Sequence, residues 1–301
     1  MKITTSAGIS IAIIATGLVC AHAQNLNGTL NTGFYGSPAA IQTINTGFGN
    51  AAGNNDSAGG SELDAAYGRI FGGNLYLFLA GNFENNGNHL NVFVSGGAPG
   101  QSVLALPATG TMQAMNGSVF SPGFQATWAF DMNDYAGTLY NEEYTYGGPG
   151  SLNGGYIGSV AETSTGIGAG LPAGGSFPAY TYLALNNNNA STMGAAGTAL
   201  SGATSGANTT TGLEMVIPLS VIGYTGGNIN VLADINGGGD GYLSNQFLAG
   251  LPVATGNLGT SGFNFGSTPG EYFTVAVPEP TTVAMSLSGL AAFLVFRRRV
   301  K

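Results

Sequence analysis

Short apolar runs separated by turns rich in Gly and Asn make up most of this sequence, and the body shows no long helical periodicity. The clearest run, residues 75–80 (LYLFLA), is apolar at every position, as expected of a central strand that is covered on both faces. Residues 85–88 (NNGN) follow, and Asn-Gly suits a hairpin turn because it tolerates positive φ. Residues 89–94 then supply the return strand. This pattern predicts many short antiparallel strands.

The remaining predicted strands are residues 103–106, 125–130, 138–146, 156–160, 180–185, 213–217, 229–235 and 272–277. With 52 Gly residues in 301 and 44% hydrophobic residues, the chain has both the turns and the apolar surface for an ordered core. The low-complexity residues 186–211 are typical of a long exposed loop. We therefore expect an all-β fold, an antiparallel β-sandwich or jelly roll with long Gly- and Asn-rich loops.

The N-terminal residues 1–23 have the features of a secretory signal peptide. Lys2 precedes an apolar run, and Ala21 and Ala23 supply the small residues of a cleavage site. Signal peptidase is the partner that this arrangement implies. A lipoprotein anchor at Cys20 is the alternative, although the residues before that Cys depart from the usual lipobox. We expect an exported body that comprises residues 24–276.

Three parts follow one another at the C-terminus, in residues 277–301. They are the motif Val277, Pro278, Glu279 and Pro280, an apolar run over residues 283–296, and the cluster Arg297, Arg298 and Arg299. This order resembles the PEP-CTERM sorting signal of Gram-negative-type bacteria. The resemblance implies recognition by an exosortase-type membrane protease, cleavage near the motif, and transfer of the body to the cell surface or extracellular matrix.

The residue types of this tail favour a single transmembrane helix independently of the resemblance. Pro278 and Pro280 prevent a helix from running through the motif. A helix over residues 281–296 would rise ~24 Å, which is somewhat less than a ~30 Å hydrocarbon core. Local thinning or snorkelling of the Arg side chains covers the difference. The Arg cluster places that end in the cytoplasm and the body outside. A permanent anchor without cleavage is the alternative.

Basic residues are almost absent between the two terminal segments. Of the six Lys and Arg residues, only Arg69 lies within residues 24–276, whereas the whole chain has 14 acidic residues and a net charge of −8. Binding to nucleic acid needs a basic surface, so we exclude it. Loss of the signal peptide also removes Cys20 and His22. The body then has no Cys for a disulfide, and its single His is His89.

A second, looser resemblance concerns the body. Residues 212–219 (GLEMVIPL), followed by residues 229–235, resemble the late strands of secreted sandwiches of the DOMON and family-nine carbohydrate-binding type. In those sandwiches, an E-x-x-I-P-L strand and turn precede a core strand. The resemblance implies a sugar-binding sandwich.

The loop that begins at Asp234 is the candidate metal site. Asp234, Asn236 and Asp240 offer oxygen ligands among permissive glycines, which is what Ca²⁺ requires. The same residues also suit a tight turn after a strand, without a metal. No other cofactor is expected.

Aromatic residues form a candidate sugar-stacking platform, which comprises Trp128, Tyr140, Tyr144 and Tyr146. Core packing is the alternative role for these rings. We expect His89 to be a solvent-facing strand residue, because no nucleophile motif accompanies it.

Paired carboxylates are the minimum for a glycosidase, and two pairs are apparent in the sequence. They are Glu142 with Glu143, and Asp131 with Asp134. Adjacent strand residues point to opposite faces, so Glu142 and Glu143 cannot share a site directly.

We therefore expect a non-enzymatic cell-surface or extracellular-matrix protein that resides in the membrane before processing. The alternatives are a carbohydrate-binding module that attaches exopolysaccharide and a secreted glycoside hydrolase.

Replacement of Pro278, Glu279 and Pro280 with Ala tests the sorting interpretation. The change leaves the apolar helix intact and removes the processing site, so we expect the full-length form to accumulate in the membrane. Fractionation with an antibody to the body and the intact mass of the released form check this. As a control, neutral residues in place of the three arginines should cause secretion, because the topogenic charge is lost. An alanine variant that reaches the surface with wild-type mobility would make the motif a linker.

Overall fold

The computed structural model describes residues 24–44, 46–48, 60–106, 110–147, 152–161, 169–170, 182–187, 206–252, 255–260, 264–267 and 271–277. Within these residues the regular structure is mostly β-strand, and the single α-helix, α1, is Thr32–Tyr35. Short 3-10 helices are Thr111–Met115, Gly206–Asn208, Gly238–Asp240 and Phe265–Ser267. The prediction of an all-β fold is confirmed.

The described strands, numbered in chain order, form two antiparallel sheets. In spatial order, the smaller sheet contains β1 (Ala40–Ile41), β2 (Glu62–Phe71), β3 (Asn74–Asn82), β10 (Gly212–Pro218), β9 (Tyr182–Leu185) and β8 (Ala169–Gly170). The larger sheet contains β13 (Gly259–Thr260), β12 (Tyr242–Leu248), β11 (Ile229–Asn236), β4 (Asn86–Ser95), β5 (Trp128–Tyr135), β6 (Thr138–Tyr146) and β7 (Leu152–Ala161). Strand β14 (Tyr272–Val275) pairs with the first half of β11.

One apolar cluster lies between the two sheets. Leu75, Leu77 and Leu79 of β3 enter it from the smaller sheet, and Val92 of β4 and Phe130 of β5 enter it from the larger sheet. All five side chains are fully buried, and each such burial stabilises the fold by about 1.5–3 kcal/mol. The two sheets therefore pack face to face, as in a β-sandwich.

The outer face of the smaller sheet is also covered. Tyr76 and Phe78 of β3 pack against Phe34 and Tyr35 of α1. The Asn31 side chain caps α1 by accepting a hydrogen bond from the Phe34 backbone at 3.2 Å. Burial of β3 on both faces confirms the interpretation of its uninterrupted apolar run.

The hairpin turns lie at other positions than predicted. Gly72 and Gly73, with φ of 59° and 82°, join β2 to β3, and Ala136 and Gly137, with φ of 54° and 77°, join β5 to β6. Two successive positive φ angles match the twist of paired strands. The hairpin predicted at residues 85–88 is wrong, because β3 and β4 belong to different sheets. That segment carries the chain from one sheet to the other.

The predicted strands agree with the observed ones over most of the body. Residues 138–146 coincide with β6, and residues 229–235 fall within β11. Residues 103–106 are not a strand, since Val103 makes only an isolated bridge with Val119. Strands β2 and β12 were missed because buried polar residues interrupt their apolar pattern.

The terminal segments lie largely outside the described residues. These include residues 1–23, with Ala21 and Ala23, and residues 278–301, with Pro278, Glu279, Pro280 and the three arginines. Within the part of the chain that is described, no helix is long and apolar enough to cross a membrane. Val277 is described and exposed. Of the predicted loop at residues 186–211, only the two ends are described.

Two buried carboxyl groups at the start of β2 make the stability of the fold depend on pH. Burial raises the pKa of Glu62 from 4.5 to about 9, and the charge of Asp64 adds to the effect. Burial likewise raises the pKa of Asp64 to about 7, although the Thr209 hydroxyl opposes this by donating a hydrogen bond at 2.8 Å. Both carboxyl groups therefore hold their protons more tightly in the folded chain than in the unfolded chain.

We expect the free energy of unfolding to fall as pH rises from about 4.5 to about 9. The folded chain holds more protons than the unfolded chain in this window, so the slope is negative, and the contribution of Glu62 ends above its folded pKa. Glu62→Gln removes that titration and should flatten the curve. Asp64→Asn should flatten only the part below about pH 7. Urea unfolding across this range measures the slope, and a stability that rises throughout would contradict the assignment.

Candidate polar site on the larger sheet

A row of polar side chains crosses the larger sheet. Asp234 of β11 is in register with Asn91 of β4, Asn91 with Asp131 of β5, and Asp131 with Glu142 of β6. Residues between these positions, such as Leu90 and Phe130, belong to the core between the sheets. Because successive side chains alternate between faces, the polar row lies on the outer face of the sheet.

A second polar row lies two residues along the strands on the same face. It contains Asn236 of β11, His89 of β4 and Asn133 of β5. In the other direction the face becomes apolar, with Phe93 and Tyr144 in a buried aromatic cluster. The outer face is thus divided into a polar half and an aromatic half.

The 3-10 helix Thr111–Met115 covers this face. Met112 and Met115 are buried in the aromatic cluster and hold the helix there, which places Thr111 over the polar half. Gly110 precedes the helix with φ of 126°, and a Cβ at this position would lie 2.6 Å from the Tyr144 hydroxyl. Glycine therefore allows the close approach that brings Thr111 to Asp131 and Glu142.

His89 is enclosed by acidic and amide groups. Its Nδ1 lies 2.8 Å from Asp131 Oδ1 and 3.4 Å from Asp240 Oδ2, and its Nε2 lies 2.6 Å from Asn133 Nδ2. Burial favours the neutral ring and lowers the pKa of His89, but Asp131, Asp240 and Glu142 outweigh burial and raise it to about 9. The side chain is only 1% exposed, so the expectation of a solvent-facing His89 is wrong.

Asp131 connects this cluster to the surface. Its Oδ1 faces His89 and accepts from Asn91 Nδ2 at 3.2 Å, and its Oδ2 accepts from the Thr111 hydroxyl at 2.6 Å. Glu142 in turn accepts from the Tyr144 hydroxyl at 2.5 Å and from the Thr111 backbone N–H. Protein donors hold both carboxylates in fixed orientations.

The loop after β11 turns Asp240 back into the sheet. Asn236 Oδ1 accepts from the backbone N–H groups of Gly237 at 3.0 Å and Tyr242 at 2.9 Å, and its Nδ2 donates to the Asp240 carbonyl. Asp240 has φ of 53°, a conformation that Asp tolerates better than most residues. Asn236 therefore acts as a turn residue, which is one of the two roles that the sequence suggested for this loop. Asp240 points into the sheet.

Asp234 and Asp240 are both fully buried. Burial raises the pKa of each well above its usual range, Asp131 adds to both shifts, and His89 opposes the shift at Asp240. No hydrogen-bond donor among the described residues reaches either oxygen of Asp234 or the side-chain oxygen of Asn91. Such groups are rare in native interiors and call for a partner of another kind.

A pocket of 240 Å³ opens beside the cluster. Its lining residues are Thr111, Asp131, Asn133, Tyr140, Glu142 and Tyr156. Tyr140 and Tyr156 are 42% and 57% exposed, so their rings are available to a ligand. Asp131 belongs both to this pocket and to the buried cluster.

The four aromatic residues of the predicted platform do not share a surface. Trp128 is fully buried between the sheets, where its ring stacks on Phe130. Tyr144 and Tyr146 are buried in the aromatic cluster on the opposite face. The core alternative therefore holds for these three, and Tyr140 alone of the four is exposed. Tyr156, on the neighbouring strand, is the aromatic residue that sequence reasoning missed.

The carboxylate pairs are also resolved by the structure. Glu143 accepts from Trp128 Nε1 at 2.8 Å, whereas Glu142 lines the pocket on the other face, as strand alternation predicts. Asp134 does not line the pocket with Asp131. Register brings Asp131 to Glu142 instead.

Of the predicted metal ligands, Asp240 belongs to a set with His89 and Asp131, whereas Asp234 is not one of its members. His89, Asp131 and Asp240 each offer a ligand atom, and these atoms all lie within 4.8 Å of one another. A sequence signal for this set exists, because the polar residues of β4, β5 and β11 occupy alternate positions between apolar ones. Only strand pairing shows that the three segments are adjacent.

Compared with family models, with curated proteins and with solved structures, the chain gives no significant match.

Trp128→Phe tests the position of this residue in the core. The change removes an indole that fills the core and donates to the carboxylate of Glu143, so we expect destabilisation by about 2 kcal/mol. Tyr140→Phe, which alters an exposed ring, serves as the control and should change stability by less than about 0.5 kcal/mol. Urea unfolding measures both, and equal effects in the two variants would place Trp128 at the surface.

Proposed function

We propose that this chain is an exported, non-enzymatic cell-surface or extracellular-matrix protein whose body binds polysaccharide in the pocket between Tyr140 and Tyr156. Export and sorting follow from the two terminal segments: a signal peptidase releases the body, and an exosortase-type protease acts on the tail. The single observation that supports the binding role is the pair of exposed tyrosine rings beside fixed carboxylate and amide groups.

The pocket has the chemistry of a sugar site. Aromatic rings provide flat apolar surfaces for the C–H faces of pyranose rings, while a few placed polar groups fix orientation. Asp131 and Glu142 accept hydrogen bonds from sugar hydroxyls, and Asn133 both donates and accepts. The hydrogen bonds from Thr111 and Tyr144 orient these carboxylates in advance. A ligand therefore meets groups that need little reordering.

Charge selects the class of polysaccharide. Two carboxylates line the pocket, and the chain as a whole has a net charge of −8. Uronate and sulfate groups would be repelled, whereas neutral hexoses and protonated amino sugars would not. The favoured ligand is a neutral or amino-sugar polysaccharide.

Glycoside hydrolysis is a second candidate, supported by one observation. Asp131 and Glu142 are cross-strand neighbours in the same pocket, and a retaining glycosidase needs two carboxyl groups about 5–5.5 Å apart. Both groups, however, accept hydrogen bonds from protein donors. That arrangement favours ligand binding over proton transfer.

Tyr140→Ala and Tyr156→Ala test the binding proposal. Each change removes one stacking surface, worth about 0.5–1.5 kcal/mol, so we expect affinity to fall about two- to tenfold for each. Tyr182→Ala removes an exposed ring from the smaller sheet and is the matched control. Affinity electrophoresis of the full-length protein in neutral glucan, chitosan and alginate gels measures binding.

Retardation by alginate alone, or equal effects of all three substitutions, would contradict the proposal. Turnover of chromogenic glycosides that Glu142→Gln abolishes would replace binding with hydrolysis.

A further inference from the structure

The buried part of the polar site holds more acidic groups than its neighbours balance. Asp131 and Asp240 flank the single imidazole of His89, and Asp234 adds a third buried carboxyl group beside them. The only other cation in residues 24–276 is Arg69, whose guanidinium packs 4.7 Å from the centre of the Phe34 ring on the smaller sheet. No Lys or Arg side chain of the body therefore reaches this cluster.

Two oxygen-bearing groups in the cluster also lack donors. Both oxygens of Asp234 and the side-chain oxygen of Asn91 are buried without a hydrogen-bond partner among the described residues. Asp234 lies opposite Asn91 in the sheet, and Asn91 donates to Asp131. These oxygens therefore lie beside the cluster formed by His89, Asp131 and Asp240. They take no part in the hydrogen bond that joins His89 to Asp131. A cation accepts electron pairs from such oxygens without needing a donor.

The distances suit a small metal ion. Ligand atoms at adjacent positions of an octahedral or tetrahedral centre are about 2.8–3.4 Å apart when metal–ligand distances are about 2.0–2.1 Å. His89 Nδ1 lies 2.8 Å from Asp131 Oδ1 and 3.4 Å from Asp240 Oδ2. Rotation of the Asn133 amide would let its oxygen accept the Nε2 proton that a ring ligated through Nδ1 carries.

We propose that His89, Asp131 and Asp240 bind one divalent transition-metal ion of the Zn²⁺ or Mn²⁺ class, with the carboxyl group of Asp234 beside it as a further negative charge. An imidazole among carboxylates favours these ions over Ca²⁺, which takes oxygen ligands alone. The pocket provides the entry path, because Asp131 lines both the pocket and the cluster. The proposal concerns the same site as the proposed function, and the ion would hold Asp131 in the orientation that the pocket presents to a ligand.

Metal content and thermal stability of the full-length protein in mild detergent test this site without any sugar. After treatment with a chelator, the protein is dialysed separately against Zn²⁺, Mn²⁺ and Ca²⁺. We expect one Zn²⁺ or Mn²⁺ per chain by elemental analysis. The melting temperature should rise by about 5 °C or more when the free ion is about 100 times its Kd.

Asp234→Asn separates metal binding from a structural role. The amide keeps the shape of the side chain and removes a negative charge beside the ion, so the affinity for the metal should fall at least about tenfold while the metal-free protein is as stable as before or more stable. His89→Gln should abolish the preference for Zn²⁺ over Ca²⁺. Asp64→Asn, at a buried carboxyl of the smaller sheet, is the control and should leave metal binding unchanged.

Three results would overturn the proposal: no uptake of Zn²⁺ or Mn²⁺, uptake of Ca²⁺ alone, or wild-type affinity in both Asp234→Asn and His89→Gln. Tyr140→Ala with Tyr156→Ala should retain the metal. Failure of glycan binding with intact metal binding therefore rejects only the proposed function, and loss of metal binding with intact glycan binding rejects only this site.

Discussion

A buried carboxylate needs a hydrogen-bond donor, a proton or a cation, and residues 24–276 contain a single Arg and no Lys. The structure meets this constraint mainly with neutral donors. Glu214 accepts from the Tyr35 hydroxyl and from the Gln24 side chain, and Glu143 accepts from the Trp128 indole. The N-terminal segment is thereby attached to the smaller sheet. Tertiary order in this protein depends on aromatic and amide groups in places where many proteins use salt bridges.

Asp234 is a buried carboxyl group for which no donor among the described residues meets this requirement. Its neighbours in the larger sheet are other acids, an imidazole already shared by Asp131 and Asp240, and the amide of Asn91. A proton stabilises a buried carboxyl group by removing its negative charge. A divalent ion supplies two positive charges and binds several ligands at once. The proposed metal site and the proposed sugar pocket would thus share Asp131, with the ion beneath and the ligand above.

Two features of the fold position this site, namely the alternation of side chains along the strands and the segments that cover the outer face of the larger sheet. Strand alternation sends Leu90 and Val92 into the core and His89 and Asn91 to the outer face, so the requirement for a core also creates a polar face. The loop at Asn236 and the helix that begins at Thr111 then cover that face from two sides. Burial of the carboxylates is a result of this covering and not of the sheet itself.

Much of the secondary structure was predictable because it depends on local pattern. The apolar run of β3 and the full length of β6 are evident in the sequence, whereas β2 and β12 are not, since polar residues that the fold buries interrupt their apolar pattern. Asn-Gly at residues 86–87 has the local preference for a turn, yet it begins β4, because each flanking strand gains more from pairing within its own sheet. Local preferences of about 1 kcal/mol give way to such packing.

The candidate site shows the same division. By itself the sequence determined the all-β class, the scarcity of cations, and the opposite faces of Glu142 and Glu143. Only the tertiary structure decided that His89, Asp131 and Asp240 meet, that Trp128 belongs to the core, and that Tyr156 joins Tyr140 at the pocket. The physical reason is that strand register joins residues far apart in the chain, and local periodicity contains no information about which strands are neighbours.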